Sequence, residues 1–249
     1  MSDEIPEAQV ETEDEAVASI LEHLPVETEV EVMLPSRGIP YFGKERTVSI
    51  RPILFEDEKH MATASRDPEN SPSVYLLSRC VKGLDPQNLI LIDKLYLILK
   101  IREISYGNDY NVGVGCKTCG HANTLTLELD QLSCKMIPDD LNVFEIPIEL
   151  KGIKKKAVVS TPISSEESYL GSTIDKNLWR FIKSIDGNED KRVIAEVVNK
   201  LPIRDVHTIV KGFSLEEYGI QTTVKYTCDS CTFKNVITLP IDENFFSVN

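Results

Sequence analysis

The sequence predicts an α+β fold: a helical core, two β-hairpins far apart in the chain, and a second helical set inserted between the hairpins. Three observations carry this. Between Ser71 and Ser105 apolar residues recur at helical spacing, ending in "LILIDKLYLILKI" (Leu89–Ile101), which is apolar on most faces and so belongs at the centre of a core. From Tyr110 to Leu129 the period changes to two. Finally, "VGVGCKTCGHANTLTL" has an echo in "VKYTCDSCTFKNVITL" towards the chain's end. Each is an extended lead-in, a Cys-x-x-Cys corner, a few turn-prone residues and a β-branched exit.

The elements follow in order. Residues 1–31 hold eleven acids and no Lys or Arg, so the remainder carries 29 acids against 27 bases and most of the net charge of -13 belongs to an acidic leader. With few bulky apolar residues, this leader is expected to stay mostly disordered. Its one helical pattern, around Ala16–Leu24, places Val17, Ile20, Leu21 and Leu24 on one face, as for a segment that folds onto a basic or apolar partner. A single domain is expected over 32–249. Its β-rich entry, 32–54, is two extended segments around the corner "PSRGIPYFGK".

The helical core, 55–107, holds helices at Phe55–Ser65, Ser71–Leu84 and Asn88–Ser105, with acids at the first start, Ser71 and Pro72 capping the second and Gly83 ending it. A hairpin over 140–163 joins "FEIPIELKG" to "KKKAVVSTPI" at Gly152. The helical insertion, 164–219, is read from "SSEESYLGSTI", "NLWRFIKSI", "NEDKRVIAEVVNKL" and "IRDVHTIVKGF". The two cysteine hairpins are 108–130 and 221–241.

The corners supply Cys116 and Cys119, then Cys228 and Cys231, with 108 residues between the pairs. Brought face to face they place four thiolates at the vertices of a tetrahedron, the arrangement that suits zinc. The two-residue spacer lets both sulfurs point inward while turn amides donate to them. A redox dithiol requires its Cys-x-x-Cys to open a helix, whereas strands follow both corners here. Disulfides require an oxidising compartment, for which nothing in the sequence argues. Iron in the same cage is chemically allowed; zinc is the expected ion. Since the protein supplies every ligand, the site is closed to water and substrate and is read as structural, making the paired hairpins a zinc ribbon. His121 is expected to cap the turn rather than bind metal, and Cys80 and Cys134, without paired spacing, are read as core or chance thiols.

No catalytic arrangement emerges. Gly-x-Gly in "VGVGCKTCG" enters a metal corner rather than a helix, and Walker-type, Gly-x-Ser-x-Gly and His-Glu-x-x-His patterns do not occur. The acids of "FEDEK" and "PDDL" read as helix starts or solvated faces, and His60 and His207 are isolated. The chain is thus read as a non-enzyme without a small-molecule substrate. Leu89–Ile101 is broken by Asp93 and Lys94 and too short to span a bilayer, and the acidic N-terminus is unlike a signal peptide, so a soluble protein made in a reducing cytosol is expected. The alternative reading is a zinc-ribbon module for nucleic acid or a transcription or replication partner. Against it, the corners offer Lys117, His121, Phe233 and Lys234 beside Asp229, "KGIKKK" lies on a separate loop, and the leader repels phosphate.

"LPSRGIPY" (Leu34–Tyr41), "SIRPILFEDEKHM" (Ser49–Met61), "LYLILKIREISYGNDYNVGVGCKTCG" (Leu95–Gly120) and the later corner, in this order, resemble the T4-type bacteriophage baseplate protein family. The most specific phrase is Leu-Arg-x-x-Ser-Tyr-Gly before Cys-x-x-Cys, with Ile101 here in place of the Leu. The resemblance implies a non-enzymatic tail protein, an assembly factor or bound component of the baseplate hub, whose partners are other baseplate and hub proteins. It also implies a place in the host cytoplasm during assembly, or in the virion tail. Exposed loops bearing Tyr and Arg anchor interfaces well, so Arg37, Tyr41, Tyr106 and Tyr110 are the expected partner contacts.

Overall fold

In the computed structural model, which describes residues 29–63, 72–241 and 243–246 together with Ser19, β1 (Val30–Val32) lies antiparallel to β2 (Val48–Ile50) with Val30 opposite Ile50. Apart from Ser19, residues 1–28 of the leader, and with them the amphipathic pattern at 16–24, lie outside the described residues. The corner between these strands carries one helical turn, Ile39–Phe42, entered through left-handed Arg37 and Gly38. Gly38 is required there: its φ is +77° and a Cβ would lie 2.9 Å from the Arg46 carbonyl oxygen.

The helices of the first half are α1 (Phe55–Thr63), α2 (Pro72–Cys80) and α3 (Leu91–Tyr106). Helix α2 ends earlier than Leu84 because, past the Val81 amide's bond to the Leu77 carbonyl, the Cys80 carbonyl and the Lys82 amide bond to Arg51 and Ser49 and bridge Val81 to Ile50. Helix α3 starts three residues later than Asn88. Pro86–Asn88 form a separate 3₁₀ turn capped by Asp85, which accepts from the Gln87 amide at 3.0 Å, and Ile90 is extended and bridges to Ile163. Then comes the hairpin β3 (Asp109–Gly115) and β4 (Ala122–Glu128). A short pair that periodicity cannot reveal, β5 (Cys134–Lys135) with β9 (Gly219–Ile220), flanks the inserted region.

The insertion is less helical than its sequence texture. Strands β6 (Ile146–Leu150) and β7 (Lys155–Val159) form the expected hairpin, but β7 also pairs antiparallel with β8 (Ile182–Ile185). The helix expected over "NLWRFIKSI" is therefore a 3₁₀ turn, Leu178–Phe181, followed by a strand. Ile182 and Ile185 are three apart, a spacing that fits a helical stripe, yet the vacant edge of β7 and the left-handed turn at Asp186 and Gly187 select extended backbone. "SSEESYLGSTI" is 3₁₀ rather than α-helical, interrupted at left-handed Gly171. The helices α4 (Lys191–Val198) and α5 (Ile203–Ser214) are as the periodicity predicts. The chain closes with β10 (Thr223–Thr227) and β11 (Lys234–Thr238).

Apolar side chains gather in two clusters. The first joins β1, β2, α2, α3, β3 and the C-terminal residues, with Leu34, Ile50, Leu76, Leu97 and Ile101 fully buried. The second fills the insertion, around Leu150, Val159, Phe181, Ile182 and Ile209. Each fully buried side chain of this kind contributes about 1.5–3 kcal/mol relative to exposure. The ring of Tyr41 packs against both. Two charges on α3 tie the rest together: buried Lys94 pairs with Glu167 of the insertion, and Arg102 donates to the Phe245 carbonyl at 3.1 Å, with its guanidinium 4.9 Å from the centre of the Tyr110 ring. No helix among the described residues is long and apolar enough to cross a membrane.

Candidate metal centre

Hairpins β3–β4 and β10–β11 carry the two corners at their tips, and the tips follow one plan. The Cys116 amide donates to the His121 carbonyl and the Cys228 amide to the Phe233 carbonyl, both at 2.9 Å, closing five-residue offsets of identical register. Four residues past the first cysteine of each corner the backbone turns left-handed, at Gly120 (φ +72°) and Thr232 (φ +59°). There the amide returns to the carbonyl of Cys116 or Cys228, again at 2.9 Å. The folding of each tip thus aims both its sulfurs to one side.

The two tips meet. The Sγ atoms of Cys116, Cys119, Cys228 and Cys231 all lie within 4.8 Å of one another. Cys116 and Cys231 are 3.7 Å apart, as are Cys119 and Cys228. A disulfide would bring a pair to about 2.05 Å. A tetrahedron with metal–sulfur bonds of about 2.3 Å has edges of about 3.8 Å, so the donor set fits a four-thiolate metal site. Cys116 and Cys228 are buried, while Cys119 is exposed.

Amides surround the sulfurs as a thiolate requires. The Thr118 amide and the Asn235 side-chain amide approach Cys116 Sγ at 3.4 and 3.5 Å. Hydrogen bonding from the Cys119 amide, with the Thr118 amide and Asn235 adding to it against the opposing effect of burial, brings the Cys116 thiol down to about 6. The Cys231 amide has the same lowering effect on Cys228. Although the Phe233 amide favours its thiolate, Cys231 is pushed up to about 12 by its sulfur neighbours and by burial. A cation among the sulfurs would offset the repulsion that holds the Cys231 thiol up, so the cluster can hold a metal ion.

A pair of asparagines that sequence reasoning overlooked locks the tips together. Asn123 is buried on β4 and accepts from the Asp229 amide at 2.9 Å; Asn235 is buried on β11 and accepts from the Lys117 amide at 3.2 Å. Each therefore holds the first spacer residue of the opposite corner. Each also donates within its own tip, Asn123 to the His121 carbonyl and Asn235 to the Phe233 carbonyl. Their signal was legible: both corners read Cys-x-x-Cys-x-x-x-Asn. Tyr226 adds a further tie, its hydroxyl donating to the Gly115 carbonyl at 3.1 Å.

The other singled-out residues lie elsewhere. His121 is exposed, outside the four-sulfur cluster, and its carbonyl closes the tip. Cys80 is buried in the first core, and Cys134 is exposed on β5. Arg37, at φ +56°, reaches Asp139 and keeps part of its side chain at the surface. The Tyr41 hydroxyl donates to Asp93 at 2.8 Å and accepts from the Ile90 amide at 3.0 Å. Asp93, fully buried on α3, also receives the Ser36 amide at 3.0 Å and the Ser36 hydroxyl. Tyr106 donates to Glu58. Tyr110 is buried, donating to the Pro240 carbonyl at 3.3 Å with its ring 5.0 Å from that of Phe245. Structure thus brings the four cysteines together and disperses the tyrosines.

Taken together, the mixed fold of small antiparallel sheets and the four-cysteine cluster define a protein whose two distant hairpins meet tip to tip. The family model for T4 bacteriophage base plate protein matches residues 26–247, nearly the whole chain, and the protein belongs to that family. No curated protein and no solved structure matches it.

Proposed function

We propose that this protein acts without catalysis in assembly of the phage baseplate hub, as an assembly factor or a bound structural component, with a structural zinc ion held by Cys116, Cys119, Cys228 and Cys231. The observation that carries the reading is the four-sulfur cluster in a chain of the baseplate family. All four ligands belong to the protein, so a bound zinc has no open position for water or substrate and serves the fold. Sulfur-only ligation and a spacing near 3.7 Å fit zinc, and would fit iron in the same cage. The partners in this reading are other baseplate and hub proteins, met in the host cytoplasm while the tail is built. Arg37, Tyr41, Tyr106 and Tyr110 are the proposed partner contacts; the first three are half-buried and Tyr110 is buried, so Arg37, whose ion pair with Asp139 lies at the surface, is the foremost.

Two measurements test the proposal. Elemental analysis of the purified chain is expected to give one zinc per protein; iron instead, or no metal, refutes the cofactor assignment. Mass spectrometry of baseplate assembly intermediates and of mature particles is expected to detect the chain in the hub-containing intermediates. Its absence from every such intermediate refutes the hub role.

A further inference from the structure

Among the described residues, no strand lies along the outer edge of β4. The pairs Cys116–His121 and Asn108–Leu129 are hydrogen-bonded across the hairpin, so the alternation of an antiparallel ladder also makes Val114–Asn123, Val112–Leu125 and Tyr110–Leu127 hydrogen-bonded pairs. The N–H and C=O groups of the intervening residues, Ala122, Thr124, Thr126 and Glu128, therefore point away from β3. Among the described residues none of these backbone groups has a hydrogen-bond partner, and all four residues are exposed. The neighbouring edges differ. Strand β3 faces the second hairpin, where Tyr226 takes the Gly115 carbonyl. The outward positions of β10 and β11 include Lys225 and Lys234, charges of the kind that blunt an edge against pairing. Along β4 the outward residues stay uncharged until Glu128.

The edge is also held rigid and marked by charge. Ala122 follows Cys119 by three residues, and Asn123 fixes the strand to the opposite corner. At the far end Asp109, Glu128 and Asp130 are exposed carboxylates that form no ion pair among the described residues. Evenly spaced, unpaired amides and carbonyls match another extended backbone.

We infer that β4 is a strand-addition site: an extended segment of a partner polypeptide, with Lys or Arg where it passes Glu128, pairs with Ala122–Glu128 and extends the β3–β4 hairpin. This rests on the baseplate reading, in which the partner is another protein of the assembly.

Hydrogen exchange on the full chain tests it. In the isolated protein the amides of Thr124 and Thr126 are expected to exchange freely while Leu125 and Leu127 are protected. In purified baseplate intermediates the peptide 121–129 should gain protection of at least about a hundredfold at the outward amides. Thr124→Pro removes one outward N–H without touching the hairpin's own bonds, and should abolish incorporation during infection; Thr124→Val should incorporate normally. Wild-type chain found in intermediates with its outward amides still exchanging freely overturns the inference and leaves the baseplate reading standing. Wild-type chain absent from all intermediates overturns both. Should Thr124→Pro fail to fold, the exchange comparison on wild-type protein decides alone.

Discussion

Asn123 accepts a hydrogen bond from the backbone amide of Asp229 at 2.9 Å, so a side chain of the first hairpin holds the corner of the second. Asn235 returns the grip on Lys117 and in addition donates to Cys116 Sγ. Replacing either by Ala removes the partner of a part-buried backbone amide and should lower stability by about 1 kcal/mol. Their effects on the metal should differ. Only Asn235 touches a ligand sulfur, so Asn235→Ala is expected to weaken metal affinity by about 10–100-fold, and Asn123→Ala by less. Competition with a chromophoric chelator beside thermal melts separates the two. Equal losses of affinity would show that Asn235 acts only as a brace.

Metal removal should destabilise the whole chain and not only its end. The cluster ties β10–β11 to β3–β4, and β3 contributes Tyr110 and Val112 to the first core. A chelator, or Cys228→Ser, is expected to lower the melting temperature of both cores together. Structural zinc sites in small modules contribute on the order of 10 kcal/mol, so the shift should be large. Unaltered melting after stripping would contradict the clamp.

The buried carboxylate of Asp93 gives stability a pH dependence. Burial pushes it up to about 6, against the Ser36 and Tyr41 hydrogen bonds that favour its charged form. Its folded value thus exceeds the ordinary 3.8 of the unfolded chain. The protonated form is favoured by folding, so the contribution is fully present below the unfolded value and is lost as pH rises through about 6. Two pK units correspond to about 3 kcal/mol. Urea titrations from pH 4 to 7 should show this slope in the native chain and its loss in Asp93→Asn.

Tyr41 connects that carboxylate to both cores. Tyr41→Phe removes one donor from Asp93 and the acceptor of the Ile90 amide, and should cost about 1–3 kcal/mol in a denaturant melt. Tyr41→Ala should cost more, since it also empties the ring's place between the clusters. The sequence marks Tyr41 as a partner contact; the contacts of its hydroxyl and ring give it a structural role as well.

Gly152 lies at the turn between β6 and β7, where the carboxylate of Asp205 accepts its amide at 2.9 Å and that of Ile153 at 3.2 Å. A Cβ on Gly152 would stand 2.3 Å from that carboxylate. Gly152→Ala should therefore displace Asp205 and destabilise the insertion by about 2 kcal/mol. Calorimetry on the variant checks this.

What the sequence disclosed follows its periodicities. Helices α4 and α5 and both cysteine hairpins show clean periods of 3.6 or 2, α3 shows as an apolar run and α1 by its leading acids, and the four-cysteine cluster was legible because its spacing repeats. Strand β8 was not, since Ile182 and Ile185 satisfy a helical stripe as well as a strand and only the edge of β7 decides between them. The roles of Tyr41 and Asp93 were hidden for a related reason. An aspartate inside an apolar helix reads as an interruption until Ser36 and Tyr41, more than fifty residues earlier, supply its donors.

Two ligands come from 116–119 and two from 228–231, so a bound ion makes the span from 120 to 227 a covalent ring in all but name. A peptide bond cut anywhere within that ring would not release either fragment while the ion stays. Residues gained or lost within that span would leave the two corners joined through the ion.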